Sequence, residues 1–123
     1  RKTMSINKMR AEKLLTFSNE VEYKARMSLD TIIRIEQSLS CSILKLGNKL
    51  ANADITMTEM ISVITLALRS GGNNLQDKEV KVLISEIGLL ESMKMAGELV
   101  TLALNVDDDS ENDDEKKSEE VTS

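Results

Sequence analysis

Apolar residues recur at every third or fourth position over most of the chain, and this spacing predicts helices. The clearest example follows Thr56 and has its apolar residues at Met57, Met60, Ile61, Ile64 and Leu68. Thr56 and Glu59 also fit a capping box, in which the threonine and the glutamate three residues later bond the first backbone N–H groups of a helix. The sequence therefore predicts a helix that begins after Thr56 and ends at Ser70.

Four further stretches show the same helical spacing. Ser28 is a good N-cap for the first of them, and Asp30 lies in the first turn, where the helix dipole favours an anion. Gly88 is expected to end the fourth helix of the chain as a C′ glycine. The four additional helices are predicted at about residues 29–39, 43–51, 74–87 and 90–104. The apolar stripe of the first is predicted at Leu29, Ile32, Ile33 and Leu39.

Two short segments before these helices have the pattern of strands. Residues 13–17 and 21–27 flank a polar turn, and in the second segment apolar and charged residues alternate, which is typical of a half-buried strand. Asn19 is expected to supply the left-handed conformation of a tight turn. A lone hairpin is marginal in water, so this one is expected to pack on the helices or to pair with another chain.

These elements predict a mainly α-helical single domain at residues 13–104, with an N-terminal β-hairpin followed by about five short helices. Residues 1–12 are predicted to be a polar basic arm. Residues 105–123 contain nine acidic and two basic residues and little apolar surface, so a disordered acidic tail is predicted there. No apolar run approaches the ~18 residues that span a bilayer, and a soluble, intracellular protein is expected.

The glycine pair at Gly71 and Gly72 raises the question of a phosphate loop. A Walker loop needs a preceding strand and a GK[ST] sequence, and the dinucleotide motif needs a third spaced glycine. The chain has neither, and a helix precedes the pair. Gly71 is therefore predicted to be a helix C-cap.

Catalysis and cofactor binding find little support in the composition. The chain has no histidine, which removes the usual general base and the commonest transition-metal ligand. Glu36, Glu86 and Glu91 have ordinary helical surroundings, and the single Cys41 lacks a partner base. Asp107, Asp109 and Glu111 resemble the start of a calcium loop, but the glycine that such a loop needs at its sixth position is absent. No enzyme activity and no cofactor are expected.

Two kinds of binding remain open. The methionines Met57, Met60, Met93 and Met95 would give adaptable apolar surface for a protein partner, although filling the core is the more common role of a methionine.

The alternative is a small helical DNA-binding regulator that uses the basic arm, with Arg1, Lys2, Lys8 and Arg10 as phosphate contacts. The acidic tail would repel nucleic acid, which argues against it.

Taken in order, the elements resemble the tail assembly chaperones of the gene transfer agent type, a family of phage-derived proteins. The family's opening motif is an asparagine, two variable residues, an arginine and then Gly-Glu. This chain is similar, with Asn7, Arg10 and Glu12 at the matching positions and Ala11 in the place of the glycine. A helix with Leu29, Ile32, Ile35 and Glu36 follows. Next comes a helix that ends in Leu-Arg-x-Gly-Gly, here residues 68–72, and then an Ile-x-x-x-Gly-Leu segment at residues 84–89.

The resemblance implies a protein without catalytic activity that binds the tape measure protein, keeps it soluble and assists assembly of the tail tube subunits around it. Self-association through the hairpin edge is also expected, and neither nucleic acid nor membrane is an expected partner. The location that the resemblance implies is the bacterial host cytoplasm. The residues that the resemblance and the methionine pattern offer as partner or self-association contacts are Asn7, Arg10, Glu12, Glu36, Arg69, Gly71, Gly72, Met57, Met60 and Met93.

Overall fold

A computed structural model describes residues 12–105, which form a two-stranded antiparallel hairpin followed by five helices. The strands are β1 (Glu12–Thr16) and β2 (Glu22–Arg26). The helices are α1 (Leu29–Leu39), α2 (Ile43–Ala51), α3 (Met57–Ser70), α4 (Asp77–Ile87) and α5 (Leu89–Leu104). The predicted fold class is confirmed. The predicted arm, except Glu12, and the predicted tail, except Asn105, lie outside the described residues.

The hairpin turn differs from its prediction in one residue. Glu20, and not Asn19, has the left-handed backbone, with φ of 64°. The Glu20 N–H donates to the Phe17 carbonyl at 2.8 Å, while the Asn19 side chain accepts from the Val21 N–H at 3.1 Å. Asparagine therefore contributes through its side-chain oxygen, and the positive φ falls on the next residue.

Three helices begin at hydroxyl N-caps, and two of these, Ser28 and Thr56, were predicted. The side chain of Ser28 accepts from the Thr31 N–H at 3.3 Å, and that of Ser42 accepts from the Lys45 N–H at 3.1 Å. Thr56 and Glu59 form both bonds of the predicted capping box, at 3.1 and 2.9 Å. These bonds satisfy N–H groups that have no partner within the helix.

Helix α3 is the centre of the core and packs against β2, α1, α4 and α5. Its inward positions have no exposed surface, and they are Met60, Val63, Ile64, Ala67 and Leu68. The hairpin covers one side of this core, because alternate residues of each strand point inward. Its buried residues are Leu15, Phe17, Ala25 and Met27.

The stripe that α1 buries is partly different from the predicted one. Ile32 is buried as expected, and Ile35 accompanies it. Leu29 and Ile33 are instead 59% and 41% exposed. The difference arises because α1 contacts α3 along one narrow face, and a helix of 11 residues has more apolar positions than that face can cover. No helix within residues 12–105 is long and apolar enough to cross a bilayer.

Candidate functional site

The candidate site lies where α2 packs against α5. Gly47 of α2 faces α5, where a Cβ atom would lie at ordinary van der Waals distance, 3.6 Å from Val100 Cγ1 and 3.7 Å from Leu104 Cδ1. Only Leu46 of α2 is fully buried. The helix therefore packs through one narrow contact and leaves apolar side chains beside it accessible.

An open groove of about 840 Å³ runs along this contact. It is bordered by the start of β1, by α2 and by the outer face of α5 from Met93 to Asn105. At 1.5 Å per residue this face of α5 is about 18 Å long, or roughly three helical turns. The apolar residues of the groove are Leu44, Leu50, Ala51, Met93, Val100, Leu102 and Leu104.

The groove combines apolar walls with a charged rim. Leu44 is 66% exposed, so a large apolar side chain lies open to solvent there. On the rim, Lys13 Nζ lies 3.8 Å from Glu98 Oε1, and Lys94 stands nearby. A Cβ atom at Gly97 would meet nothing within 4 Å, so this position leaves a shallow depression on α5. Such a surface suits an apolar stripe bordered by charges.

Two carboxylates hold α2 in place, one at each end. At its start, the Ile43 N–H donates to Glu36 Oε2 at 2.9 Å. At its end, Lys49 Nζ donates to Glu59, which also belongs to the capping box of α3. The bond from Lys49, with the Thr56 N–H, lowers the pKa of the Glu59 carboxyl, and the same bond raises the pKa of Lys49. The charged forms of both residues therefore stabilise the position of α2.

Two of the predicted contact residues lie in the groove, and two lie outside the residues that the structure describes. Glu12 and Met93 line the groove. Asn7 and Arg10 lie outside the described residues. Glu36 lies under the start of α2, where it bonds the backbone as described above.

The other five predicted contact residues belong to α3 and to the connection that follows it. Met57 is 45% exposed at the start of the helix, whereas Met60 has no exposed surface. Arg69 Nε donates to the Leu75 carbonyl at 2.9 Å. Gly71 is the C-cap of α3, as predicted, and Gly72 has the positive φ, at 102°.

Gly71 itself has an ordinary φ of −81°, so conformation does not explain the glycine. A Cβ atom at Gly71 would overlap the carbonyl oxygen of Lys24 in β2. Asn73 Nδ2 donates to that same oxygen at 2.7 Å and to the Leu68 carbonyl at 3.0 Å. Gly71 and Asn73 thus join the end of α3 to the hairpin.

No group of three or more potential metal-binding side chains occurs within residues 12–105. Cys41 is half-buried, and its Sγ lies 3.7 Å from the Ser42 carbonyl oxygen.

Sequence reasoning missed Leu44 and Gly47 as groove residues. A signal for them was present, because Gly47 and Gly97 are the only glycines inside the five helices, where glycine is unfavourable. Both glycines line the groove, and a Cβ atom would fit at either position.

Comparison with curated proteins and with solved structures gives no match. A protein-family model described as "Phage tail tube protein, GTA-gp10" matches residues 11–106. This range contains the hairpin and all five helices, and therefore the whole groove. The chain belongs to the phage tail tube protein family GTA-gp10.

Proposed function

We propose that this protein is an assembly chaperone of a phage or gene-transfer-agent tail, which binds the tape measure protein and keeps it soluble while tube subunits assemble. The observation that carries the proposal is the apolar groove between α2 and α5. Membership of a phage tail family supports a role in the tail. This function requires no catalytic step and no cofactor.

An amphipathic helix is the partner that best suits the groove. Such a helix presents apolar residues at every third or fourth position, and a groove about 18 Å long accommodates roughly three turns. Leu44 and Met93 lie on opposite helices of the groove and would contact the stripe from both sides. Lys94 and Glu98 on the rim would meet its polar flanks.

Weak binding at each groove is compatible with a chaperone that must leave. Fully burying one leucine contributes only about 1.5–3 kcal/mol, so a short apolar stripe binds reversibly. Several copies along one long tape measure protein would together cover it by avidity. A chaperone of this kind holds its target until tube subunits replace it.

A second candidate follows from the printed family description, which names a tail tube protein. A tube subunit would remain in the finished tail, whereas an assembly chaperone would leave before completion. Purified finished particles distinguish the two, because only a structural subunit is present there in many copies. Detection of the protein at tube stoichiometry would overturn the chaperone proposal.

The DNA-binding alternative is disfavoured by charge. Residues 1–104, which include the basic arm, contain twelve acidic and fourteen basic residues, a net charge of only +2. The nine acids of residues 105–123 would repel phosphates, whose binding depends on a basic surface. Retention on DNA or heparin at ~0.15 M salt would favour this alternative. We expect the protein to pass through both columns.

Co-expression with the tape measure protein of the same phage or gene transfer agent tests the proposal. We expect a larger soluble fraction of the tape measure protein, and a complex that survives size-exclusion chromatography. An unrelated acidic protein of similar size, expressed in its place, is the control. Equal solubility with this protein and with the control would contradict the proposal.

A further inference from the structure

The two outer edges of the hairpin differ in how the rest of the molecule covers them. In the observed register Leu14 lies opposite Lys24. The Lys24 carbonyl accepts from Asn73, outside the hairpin, at 2.7 Å. The backbone N–H and C=O groups of Leu14 and Lys24 therefore point away from each other, toward the two outer edges of the hairpin. Hydrogen-bonded and non-hydrogen-bonded pairs alternate along an antiparallel ladder, so the backbone groups of Glu12 and Thr16 also point outward.

The outer edge of β2 is covered by the α3–α4 connection through Gly71 and Asn73. The outer edge of β1 is not covered in this way. Within residues 12–105, no backbone or side-chain group bonds the outward N–H and C=O groups of Glu12, Leu14 and Thr16. Open strand edges of this kind pair readily with another strand.

The surroundings of β1 leave room for such a strand. A cavity of about 190 Å³ lies between β1 and α5, lined by Lys13, Thr16, Lys94 and Glu98 among others. On the outer face of the strand, Leu14 is 57% exposed. A strand that paired with β1 would cover this leucine and lie above the charged face of α5.

We propose that the outer edge of β1 is a self-association surface, on which β1 of a second copy pairs antiparallel about a two-fold axis at Leu14. In this register each Leu14 lies opposite the other, and each Glu12 lies opposite Thr16 of the second copy. All the outward groups are then used, in about six hydrogen bonds. A shift by two residues loses bonds, and the register that places Glu12 opposite itself brings like charges together.

The charges and the edges of the resulting sheet both favour a second copy as the occupant. Antiparallel pairing places both helical layers on the same side of the sheet, so the α5 rims approach each other. Lys94 of one copy can then pair with Glu91 or Glu98 of the other. The strand order becomes β2-β1-β1-β2, and its outer strands are those that Gly71 and Asn73 cover. The assembly therefore closes as a dimer without an open edge.

The dimer shares the rim residues Lys94 and Glu98 with the groove, but its strand pairing requires no bound partner, so it is tested on the full chain alone. We expect sedimentation velocity to show a reversible dimer as the concentration rises. Leu14→Pro removes an N–H that points outward and spares the β1–β2 bonds. It is expected to raise the dimer dissociation constant about tenfold or more, because two intersubunit hydrogen bonds are lost. A monomer at every concentration, or unchanged dimerisation of a folded Leu14→Pro, would overturn the proposal.

Cysteine cross-linking tests the register directly, even if the proline variant is poorly folded. In a Cys41→Ser background, Leu14→Cys places two thiols opposite each other at a spacing that a disulfide can bridge. Thr16→Cys is the matched control, since its two thiols would be about 13 Å apart along the strands. Mild oxidation is expected to give a covalent dimer of the first variant only. Equal cross-linking of both variants, or of neither, would contradict the proposed register.

Discussion

Gly71 lies directly against the backbone carbonyl of Lys24, so closely that a Cβ atom at residue 71 would overlap the oxygen and lie 3.1 Å from Ala25 Cα. The end of α3 and strand β2 are therefore packed backbone to backbone. Asn73 reinforces the contact by donating to the same carbonyl. This contact fixes the hairpin on the helical core.

Gly71→Ala is expected to destabilise the protein by about 2–3 kcal/mol, since the obstructing atoms belong to backbone and cannot rotate away. The measurement is the free energy of unfolding from urea titration. Gly97→Ala is the matched control, because a Cβ atom there meets nothing within 4 Å. The control should gain up to about 1 kcal/mol. Similar losses in both variants would show that close approach is not the reason for Gly71.

Stability should decrease in acid because of Glu59. Its pKa is lowered in the folded chain, first by the bond from Lys49 and then by the Thr56 N–H. A depressed carboxyl pKa contributes stability above the unfolded pKa, and that contribution is lost as the pH falls through the folded pKa. We expect the loss to begin as the pH falls into the ordinary carboxyl range and to be complete only below the lowered pKa of the folded chain, measured as the free energy of unfolding against pH.

Lys49→Met tests whether the Lys49–Glu59 pair, and not the other carboxylates, causes this loss of stability in acid. The variant keeps a long side chain on α2 but removes the donor to Glu59. The decrease in stability on acidification should be smaller than in the unchanged protein. Lys45→Met, on the same helix and exposed, is the control and should retain the original pH profile. Identical profiles for all three proteins would contradict the assigned role of the pair.

Filling the depression at Gly97 should block the groove without harming the fold. Gly97→Leu places a large side chain in open space on α5, and leucine favours a helix over glycine by up to about 1 kcal/mol. The thermal midpoint should therefore stay the same or rise, while binding of the tape measure protein decreases. Gly97→Ala should bind almost normally. If Gly97→Leu bound the tape measure protein as well as Gly97→Ala does, the binding surface would lie outside the groove.

The local elements could be predicted from sequence because their signals are local. Ser28 and Thr56 cap helices with bonds to residues three positions later, and Gly88 separates α4 from α5 with φ of 92°. The hairpin followed from alternation over seven residues. The fine placement of the turn did not, because Asn19 and Glu20 both permit a turn and the pairing register selects between them.

The groove could not be predicted, because it depends on which faces meet. The apolar stripes of α2 and α5 are each typical of a helix that faces the core. No feature of the local sequence shows that Leu44 stays exposed while Leu46 is buried. The methionine hypothesis illustrates the same limit, since Met60 points into the core and Met93 lines the groove. Periodicity identifies an apolar face, but only tertiary packing determines how much of it is covered.

The most direct test of the central claim compares Leu44→Asp with Leu29→Asp. Both leucines lie exposed in the first turn of a helix, at 66% and 59%, and aspartate is favourable there, so neither fold should suffer. Only Leu44 lines the groove.

The measurement is the affinity of each purified variant for the tape measure protein. We expect Leu44→Asp to bind about tenfold to hundredfold more weakly, because the complex loses a leucine that the bound tape measure protein would bury. Leu29→Asp is expected to bind normally. Equal affinity of both variants would contradict the claim that the groove between α2 and α5 holds the tape measure protein.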